Sequence, residues 1–320
     1  MSQMPLLAVI LLNWHNSADT LECLRQLAAS DYPRLQPIVV DNGSHDDSVA
    51  RLQATFPRVP LIRSPINRGF AGGVNQGLQY AAAINADYAL LLNSDVSFAP
   101  DMLRKLLVAA TADGPGLYTP RLLRETPPRS LHVAVRQRLA RLPGLAWLRL
   151  EPPSDDYLWV HGLQLRNYGF DLLGEGACDR GQFDDVPIDL VYGCALLIPR
   201  PVLLRLGLLD DRFFFFAEDL DYCLRARIAG LPVRVVPAAR LRHAVHGSTR
   251  NDSQWRQFLA ARSRVLLLRK HQRLFRRVAL LRRELLEGLR IVVISLRYLD
   301  LGAIRGYLRG VIAGLREQVF

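Results

Sequence analysis

The sequence predicts an α/β protein built on a doubly wound, mostly parallel sheet. Three observations predict it. Short apolar runs, "LLAVILL" at 6–12, "PIVVD" at 37–41 and "ALLL" at 89–92, have the length and continuity of strands buried on both faces. Helical patterns alternate with them, as in βαβ units. Polar clusters, "VVDNGSHDDS", "LLLNSDV" and "LRHAVHGS", close apolar runs, and in an open α/β sheet such ends meet at one ligand-binding edge.

The first strand lies in "MSQMPLLAVILLNW", which lacks the basic start and small-residue cleavage site of a signal peptide. In "SADTLECLRQLAAS" Leu21, Leu24 and Leu27 recur at helical spacing. The strand at 37–41 follows, then a strand in "VPLIRS", a helix in "GGVNQGLQYAAA" and a strand in "ADYALLLNSDV". "APDMLRKLL" predicts a helix that Asp101 is placed to cap. Residues 124–186, Pro-rich and weakly periodic, read as an irregular insertion over the site. The strand pattern returns in "IDLVYGCALLIP", with a helix at "RPVLLRLG" and a last strand at "PVRVVP" leading into "AARLRHAVHGST". From Gln254 the chain reads helical, so the expected division is a domain of residues 1–254 and a helical tail of 255–320.

A chain of 320 residues, half of them hydrophobic, can bury a large core. Its four cysteines form no CxxC pair, which argues against a zinc site or a disulfide scaffold. No apolar run reaches the ~18 residues of a spanning helix. The expectation is a cytoplasmic protein. The net charge of +11 lies wholly beyond Gln254, where fifteen Lys and Arg face four Asp and Glu.

In "RFFFFAEDLDYCLRAR" four rings stand against Glu218, Asp219 and Asp221. A carboxylate beside apolar surface is paired, bound to metal or used as a base. Pairing with Arg225 and Arg227 is the simpler account; if one of these acids is a base, the "FFFF" run is a buried strand or wall that holds it in a dry cleft. Asp41 and Asn42 just past a strand suit a nucleoside, although an ordinary Asp/Asn/Gly/Ser turn reads the same. Asp95, after Asn93 and Ser94, offers an oxygen to a hard divalent cation whose other ligands a diphosphate supplies. His243 and His246 are each able to ligate metal or donate to phosphate. The stretch "NRGFAGGVNQG" lacks the GxGxxG dinucleotide fingerprint; its glycines suit close backbone approach at a helix start facing an anion or nucleobase.

Taken in order, "VILLNWHNSADTLECLRQL", "PIVVDNGSHDDS", "NRGFAGGVNQG", "YALLLNSDV", "VYGCALLIPRPVLLRLGLLDDRFFFFAEDLDYCLRA" and "VPAARLRHAVHGST" resemble the family 2 glycosyltransferases, nearest to their bacterial rhamnosyltransferase-like branch, over roughly residues 5–250. The resemblance implies a nucleotide-sugar-binding GT-A fold and an inverting transfer assisted by Mn or Mg. It implies that Asp41, Asn42, Asn67, Gly72, Asn93 and Asp95 hold the nucleotide sugar. The family's acidic triplet reads Asn93-Ser94-Asp95 here, so metal ligation falls to Asp95 and to His243, six residues after Pro237. Asp219 becomes the catalytic base, with Glu218 and Asp221 as its supports and Arg225 steadying them. A best reading of the donor is dTDP-rhamnose, and of the acceptor a lipid-linked or polysaccharide hydroxyl in cell-envelope synthesis. The competing class is a non-catalytic nucleotide-sugar-binding or scaffold protein of the same fold.

In the tail, Arg262, Arg269, Arg276, Arg283, Arg290 and Arg297 recur every seven residues, a stripe that drifts ~20° per heptad on a helix, with Leu266, Leu280, Leu286 and Val293 opposite. This suits an anionic membrane surface, hence a peripheral protein on the cytoplasmic face of the inner membrane. An arginine face packed on the domain reads equally well. Gly302, Gly306, Gly310 and Gly314 recur every four residues, as where helices meet closely in lipid. Sparse lysine and aromatics argue against nucleic acid. Self-association as a homo-oligomer stays open.

Overall fold

The structure, a computed structural model, describes residues 4–125, 156–166, 169–244, 253–275, 277–297 and 300–318. β1 (Leu7–Asn13), β2 (Leu35–Asn42), β3 (Leu61–Ser64) and β4 (Tyr88–Leu92) pair in parallel in the order β3-β2-β1-β4. α1 (Ser17–Ala28), α2 (Ser48–Thr55) and α3 (Gly69–Ala83) connect them. Leu7, Val9 and Leu11 pack on one face with Leu24 and Leu27 of α1, while Ala8 and Ile10 pack on the other with Val74 and Leu78 of α3. Both faces are covered, which is why the runs lack polar alternation.

α3 lies close on β1 because glycines face the strand. A Cβ at Gly77 would stand 2.4 Å from Ile10, and one at Gly73 2.5 Å from Leu12. Gly73 and Gly77 thus make a helix–sheet contact, and Gly72 is buried in the same helix against the Arg68 stem.

The second half of the sheet runs β4-β10-β6-β11-β5, formed by β5 (Val96–Phe98), β6 (Leu117–Arg124), β10 (Ala195–Pro199) and β11 (Val233–His243). α4 (Met102–Asp113), α5 (Arg200–Leu206) and α6 (Glu218–Ile228) accompany these strands. β10 is antiparallel to β4 and β6, so parallel pairing prevails on one side only and the sheet is mixed. A doubly buried strand reads alike in either direction, so sequence pattern cannot reveal this. β11 runs on through a register shift between Val236 and Arg240, and His243 is its last residue rather than part of a following turn. Asp101 stands at the cap position of α4, but its carboxylate bonds Lys105 at 2.7 Å instead of the helix amides.

Part of the segment expected to be irregular is ordered. β7 (Leu158–Val160) pairs with β6, and β8 (Gly162–Arg166) forms a hairpin with β9 (Gly169–Leu173). Buried Arg121 on β6 bonds Asp179 at 2.8 Å and also Asp184, while Arg240 on β11 bonds Asp156 at 2.8 Å and Asp179 at 2.6 Å. These pairs fasten the insertion to the sheet.

The tail forms α7 (Ser253–Lys270), α8 (Arg277–Arg297) and α9 (Leu301–Arg316). α7 is part of the main core, for Leu266 and Leu267 are fully buried in it beside residues of α6. The stripe of small residues is a contact within the chain: a Cβ at Gly306, Gly310 or Gly314 would lie 2.0, 2.3 or 2.7 Å from the carbonyl oxygens of Gln254, Phe258 and Arg262 on α7. Arg262 bonds the Arg212 carbonyl and Glu317, and Arg269 bonds the Gly314 and Glu317 carbonyls, so both pack on the protein. Arg290 is exposed. His246, Arg276 and the side chains of Leu280, Arg283 and Arg297 lie outside the described residues. No described helix is long and apolar enough to cross a membrane.

Candidate active site

The carboxyl ends of β1, β2, β4 and β11, together with the start of antiparallel β10, share one edge of the sheet. At β2 the Asp41 carboxylate accepts from Asn13 Nδ2 at 2.8 Å, its register partner on β1, and from the Ser44 amide at 3.1 Å. Asn42, also buried, donates to Asn67 Oδ1 at 3.0 Å and to the Gly69 carbonyl at 2.9 Å, and accepts from the Arg68 amide at 3.0 Å. Asn67 in turn accepts from the Gly69 amide at 2.8 Å. Asn42 and Asn67 thus tie the entry of α3 to the sheet.

Beyond β4, the β5–β11 register sets Val96 against His243, and the Ala244 amide donates to the Asp95 carbonyl at 3.0 Å. This brings His243 Nε2 to 3.1 Å from Asp95 Oδ1 and 3.3 Å from Asn93 Nδ2. The ring of Trp159 meets His243 edge-on at 4.7 Å and tilts against Tyr192 at 5.3 Å. Trp159 was hidden in the segment read as irregular; Tyr192 was visible in "VYGC" but carried no distinguishing signal of its own.

The two donor atoms suit a divalent cation. Adjacent ligands on an octahedral ion with bonds near 2.1 Å stand about 3 Å apart, and a carboxylate with an imidazole is a set that Mn accepts. Among the described residues there is no group of three or more His, Cys, Asp or Glu able to hold a metal. A cation here would need further ligands, which diphosphate oxygens can provide.

The "FFFF" run forms bends, not a strand. Phe213 is buried and Phe214–Phe216 are partly so. Phe216 and Ala217 have φ of 69° and 66°, a left-handed pair that costs about 1–2 kcal/mol per residue and ends at the first residue of α6. Gly69, itself at φ 71°, lets the turn pass, for a Cβ there would lie 2.0 Å from the Phe214 oxygen. The Phe70 amide donates to that same oxygen at 2.7 Å.

Three carboxylates then occupy the first turn of α6 with three different surroundings. Asp219 accepts from the Gly193 amide at 2.6 Å and from the Leu220 amide at 2.7 Å. Burial pushes its pKa up to about 6 against the pull of those two amides. Glu218 is raised well above the carboxylate range, first by burial and then by the Asp219 charge, and its Oε2 has no hydrogen-bond partner among the described residues. Asp221 is turned elsewhere: fully buried, it bonds Arg225 Nε at 2.9 Å, Lys270 Nζ at 2.8 Å and His271 Nε2 at 2.8 Å. Burial alone would raise its pKa, but His271, Lys270 and Arg225 outweigh it and hold the carboxyl low. Arg225 thus steadies Asp221 from the next helical turn, as expected, and also bonds the Leu206 and Leu208 carbonyls, while neither Asp221 nor Arg225 hydrogen-bonds Asp219 among the described residues.

Asp219 and the Asp95–His243 pair are joined through Gly193, Cys194 and Asn93. Gly193, which holds Asp219, precedes Cys194, whose carbonyl accepts from the Asn93 amide at 2.8 Å. The buried Cys194 thiol is pushed up by burial and then by the charges of Asp95 and Asp219.

Known proteins resemble the chain in sequence and in fold. A hexosyltransferase of low-salt glycan biosynthesis from Haloferax volcanii is 24% identical over 81% of this chain and 74% of its own length. An N-acetylglucosaminyl-diphospho-decaprenol L-rhamnosyltransferase from Mycobacterium tuberculosis is 25% identical over 68% and 69%. In fold, a Pyrobaculum calidifontis mannosyltransferase solved with GDP-Man and Mn2+ superposes with a TM-score of 0.57 at 16% identity, covering 98% of this chain and 88% of that one. Residues 9–145 match the family described as "Glycosyl transferase family 2". That stretch is similar to this family, and the fold around it is that of solved GT-A glycosyltransferases.

Proposed function

We propose that the protein is an inverting glycosyltransferase of glycan synthesis in which Asp219 is the base. The observation that carries the reading is the Gly193 contact, which suspends a buried carboxylate with a pKa of about 6 beside the Asp95–His243 pair. At neutral pH such a group is ionised yet basic enough to take a proton from an alcohol as it becomes a nucleophile. The acceptor oxygen would give its proton to Asp219 and bond to the anomeric carbon from the face opposite the departing nucleoside diphosphate. Glu218, kept neutral, leaves Asp219 as the ionised member of that adjacent pair, while Asp221 is neutralised by its own cationic partners. Both Asp95 and Asp219 are retained at one edge, which disfavours a non-catalytic scaffold.

Asp41 at the end of β2 would receive the nucleoside, and Asp95 with His243 would hold a Mn or Mg ion. Such an ion would neutralise charge on the leaving diphosphate. The half-buried Trp159 and Tyr192 border the same end of the site.

The best reading of the donor is dTDP-rhamnose and of the acceptor a lipid-linked saccharide. The named L-rhamnosyltransferase of decaprenol-linked N-acetylglucosamine supports rhamnose as the sugar and a lipid-linked acceptor. A membrane-surface location gains support from the tail. Leu285, Leu286, Leu289 and Val293 are exposed on α8, and Leu301, Leu308, Ile312 and Leu315 on α9, in a region that carries the whole net charge. The test is transfer and hydrolysis of dTDP-rhamnose against UDP- and GDP-sugars with Mn or Mg. Turnover of dTDP-rhamnose supports this reading, while exclusive use of another nucleotide sugar discards the donor but keeps the reaction class. No turnover of any donor discards the enzyme.

A further inference from the structure

We propose that α7 is a positioning element of the active site, with Ser263, Lys270 and His271 holding the turn and helix that carry Asp219. The inference rests on the reading of Asp219 as the base.

The turn before Asp219 is internally unfavourable. Two successive non-glycine residues, Phe216 and Ala217, sit in the left-handed region and lead straight into Glu218 and Asp219. Such a conformation persists where surrounding contacts impose it. One set comes from α3: Phe70 bonds the Phe214 carbonyl, and Asn75 bonds both the amide and the carbonyl of Leu209, at 3.0 and 2.9 Å. The other comes from α7. Fully buried Ser263 donates to the Phe215 carbonyl at 2.8 Å, and Arg262 donates to the Arg212 carbonyl at 2.8 Å. Trp255 meets Phe214 edge-on at 6.5 Å.

At its C-terminal end α7 reaches the helix of the base itself. Lys270 bridges Asp210 at 2.7 Å and Asp221 at 2.8 Å and lies 5.6 Å from the Phe213 ring centre. His271, directly after α7, bonds the same Asp221 oxygen at 2.8 Å. Asp210 and Asp221 bracket the left-handed turn. Lys270 therefore ties both ends of the segment whose geometry sets Asp219 against Gly193. None of these α7 groups contacts Asp219 in the structure's hydrogen bonds or ion pairs. Their effect passes through the backbone of 210–221, so removing them should leave the donor-binding edge intact.

The experiment uses the full chain with Ser263→Ala, His271→Ala and His271→Gln, measuring kcat, donor KM, donor Kd and thermal midpoint beside Asp219→Asn. Ser263→Ala should lower kcat about tenfold with donor Kd within about twofold, the pattern of a group displaced by a fraction of an ångström. His271→Ala should lose more, and His271→Gln, which keeps an N–H near the Asp221 oxygen, should recover most of it. Wild-type kcat in folded Ser263→Ala and His271→Ala overturns the proposal. So does a parallel loss of donor affinity and kcat that His271→Gln does not reverse. If His271→Ala does not fold, Ser263→Ala decides alone. Normal turnover in Asp219→Asn refutes the base assignment, whereas an inactive Asp219→Asn beside fully active α7 variants refutes positioning only.

Discussion

Alanine at position 193 puts a methyl group where Asp219 now sits. Its Cβ would lie 2.9 Å from the Asp219 Cβ and 3.4 Å from Oδ2. Carbon atoms approach comfortably to about 3.5 Å, so the two must part by about 0.6 Å. The Gly193 bond to Oδ2, 2.6 Å in the native chain, would open to roughly 3.2 Å, the limit of the N–H···O range. A hydrogen bond to a charged group contributes about 1.5–3 kcal/mol, so losing much of it raises the Asp219 pKa by ~1 unit from about 6. The ionised form is the active one, so the rate rises with pH through that pKa, and the acid limb of the profile should move upward in Gly193→Ala. Misplacement of the base adds a loss of ~10–100-fold at the plateau. Initial rates from pH 5 to 9 at saturating donor and acceptor measure both effects. A variant with native plateau and native acid limb would refute the claim that Gly193 aims the base.

Asp95→Ala should abolish transfer and remove the dependence of donor binding on Mn or Mg, read by calorimetry with and without the ion; full activity at saturating donor would sink the metal assignment. Replacing Leu285, Leu289 and Val293 on α8 together by glutamate should free the protein from anionic vesicles without altering its thermal midpoint, because all three are exposed; unchanged flotation would show that the tail does not anchor. Gly310→Leu should destabilise by ~1–3 kcal/mol through overpacking, since even a Cβ there meets the Phe258 carbonyl at 2.3 Å; an unchanged denaturation midpoint would contradict the helix contact. The low pKa of Asp221 stabilises the fold above the unfolded carboxylate value near 3.9 and is lost as pH falls through the lower folded value; Asp221→Asn should flatten the acid limb of the stability profile, and an unaltered limb would refute it.

β1 to β4, α1 and α3 were legible because doubly buried strands and amphipathic helices impose different repeats on the sequence, whereas the eight-residue α2 and the three-residue β5 are too short to show a repeat. The polar residues at their ends were legible too, and the structure brings Asp41, Asp95, Asp219 and His243 to one edge of the sheet. What escaped was set by distant partners. β10 reverses direction, a property of pairing rather than of pattern. β6, "LYTPRLLR", and the continuation of β11 through "PAARLRH" contain Pro and Arg, and their arginines are accepted because Asp156, Asp179 and Asp184 arrive from the insertion. The acids of "EDLD" were visible as a cluster, but their division of labour was not: Asp221 belongs to Lys270 and His271, some fifty residues away. The small residues of the tail were read correctly as a close helix contact, yet its partner α7 lies within the same chain.

The central claim is that Asp219, not its neighbour Glu218, removes the acceptor proton. Turnover with acceptor present, set beside donor affinity, for Asp219→Asn and Glu218→Gln tests it most directly. Asp219→Asn should retain donor affinity and lose about 10²–10⁴-fold in rate, the usual contribution of a positioned proton acceptor. Glu218→Gln, replacing a group already neutral, should lose far less. An inactive Glu218→Gln beside an active Asp219→Asn would move the base by one residue, and wild-type turnover in both would contradict the account.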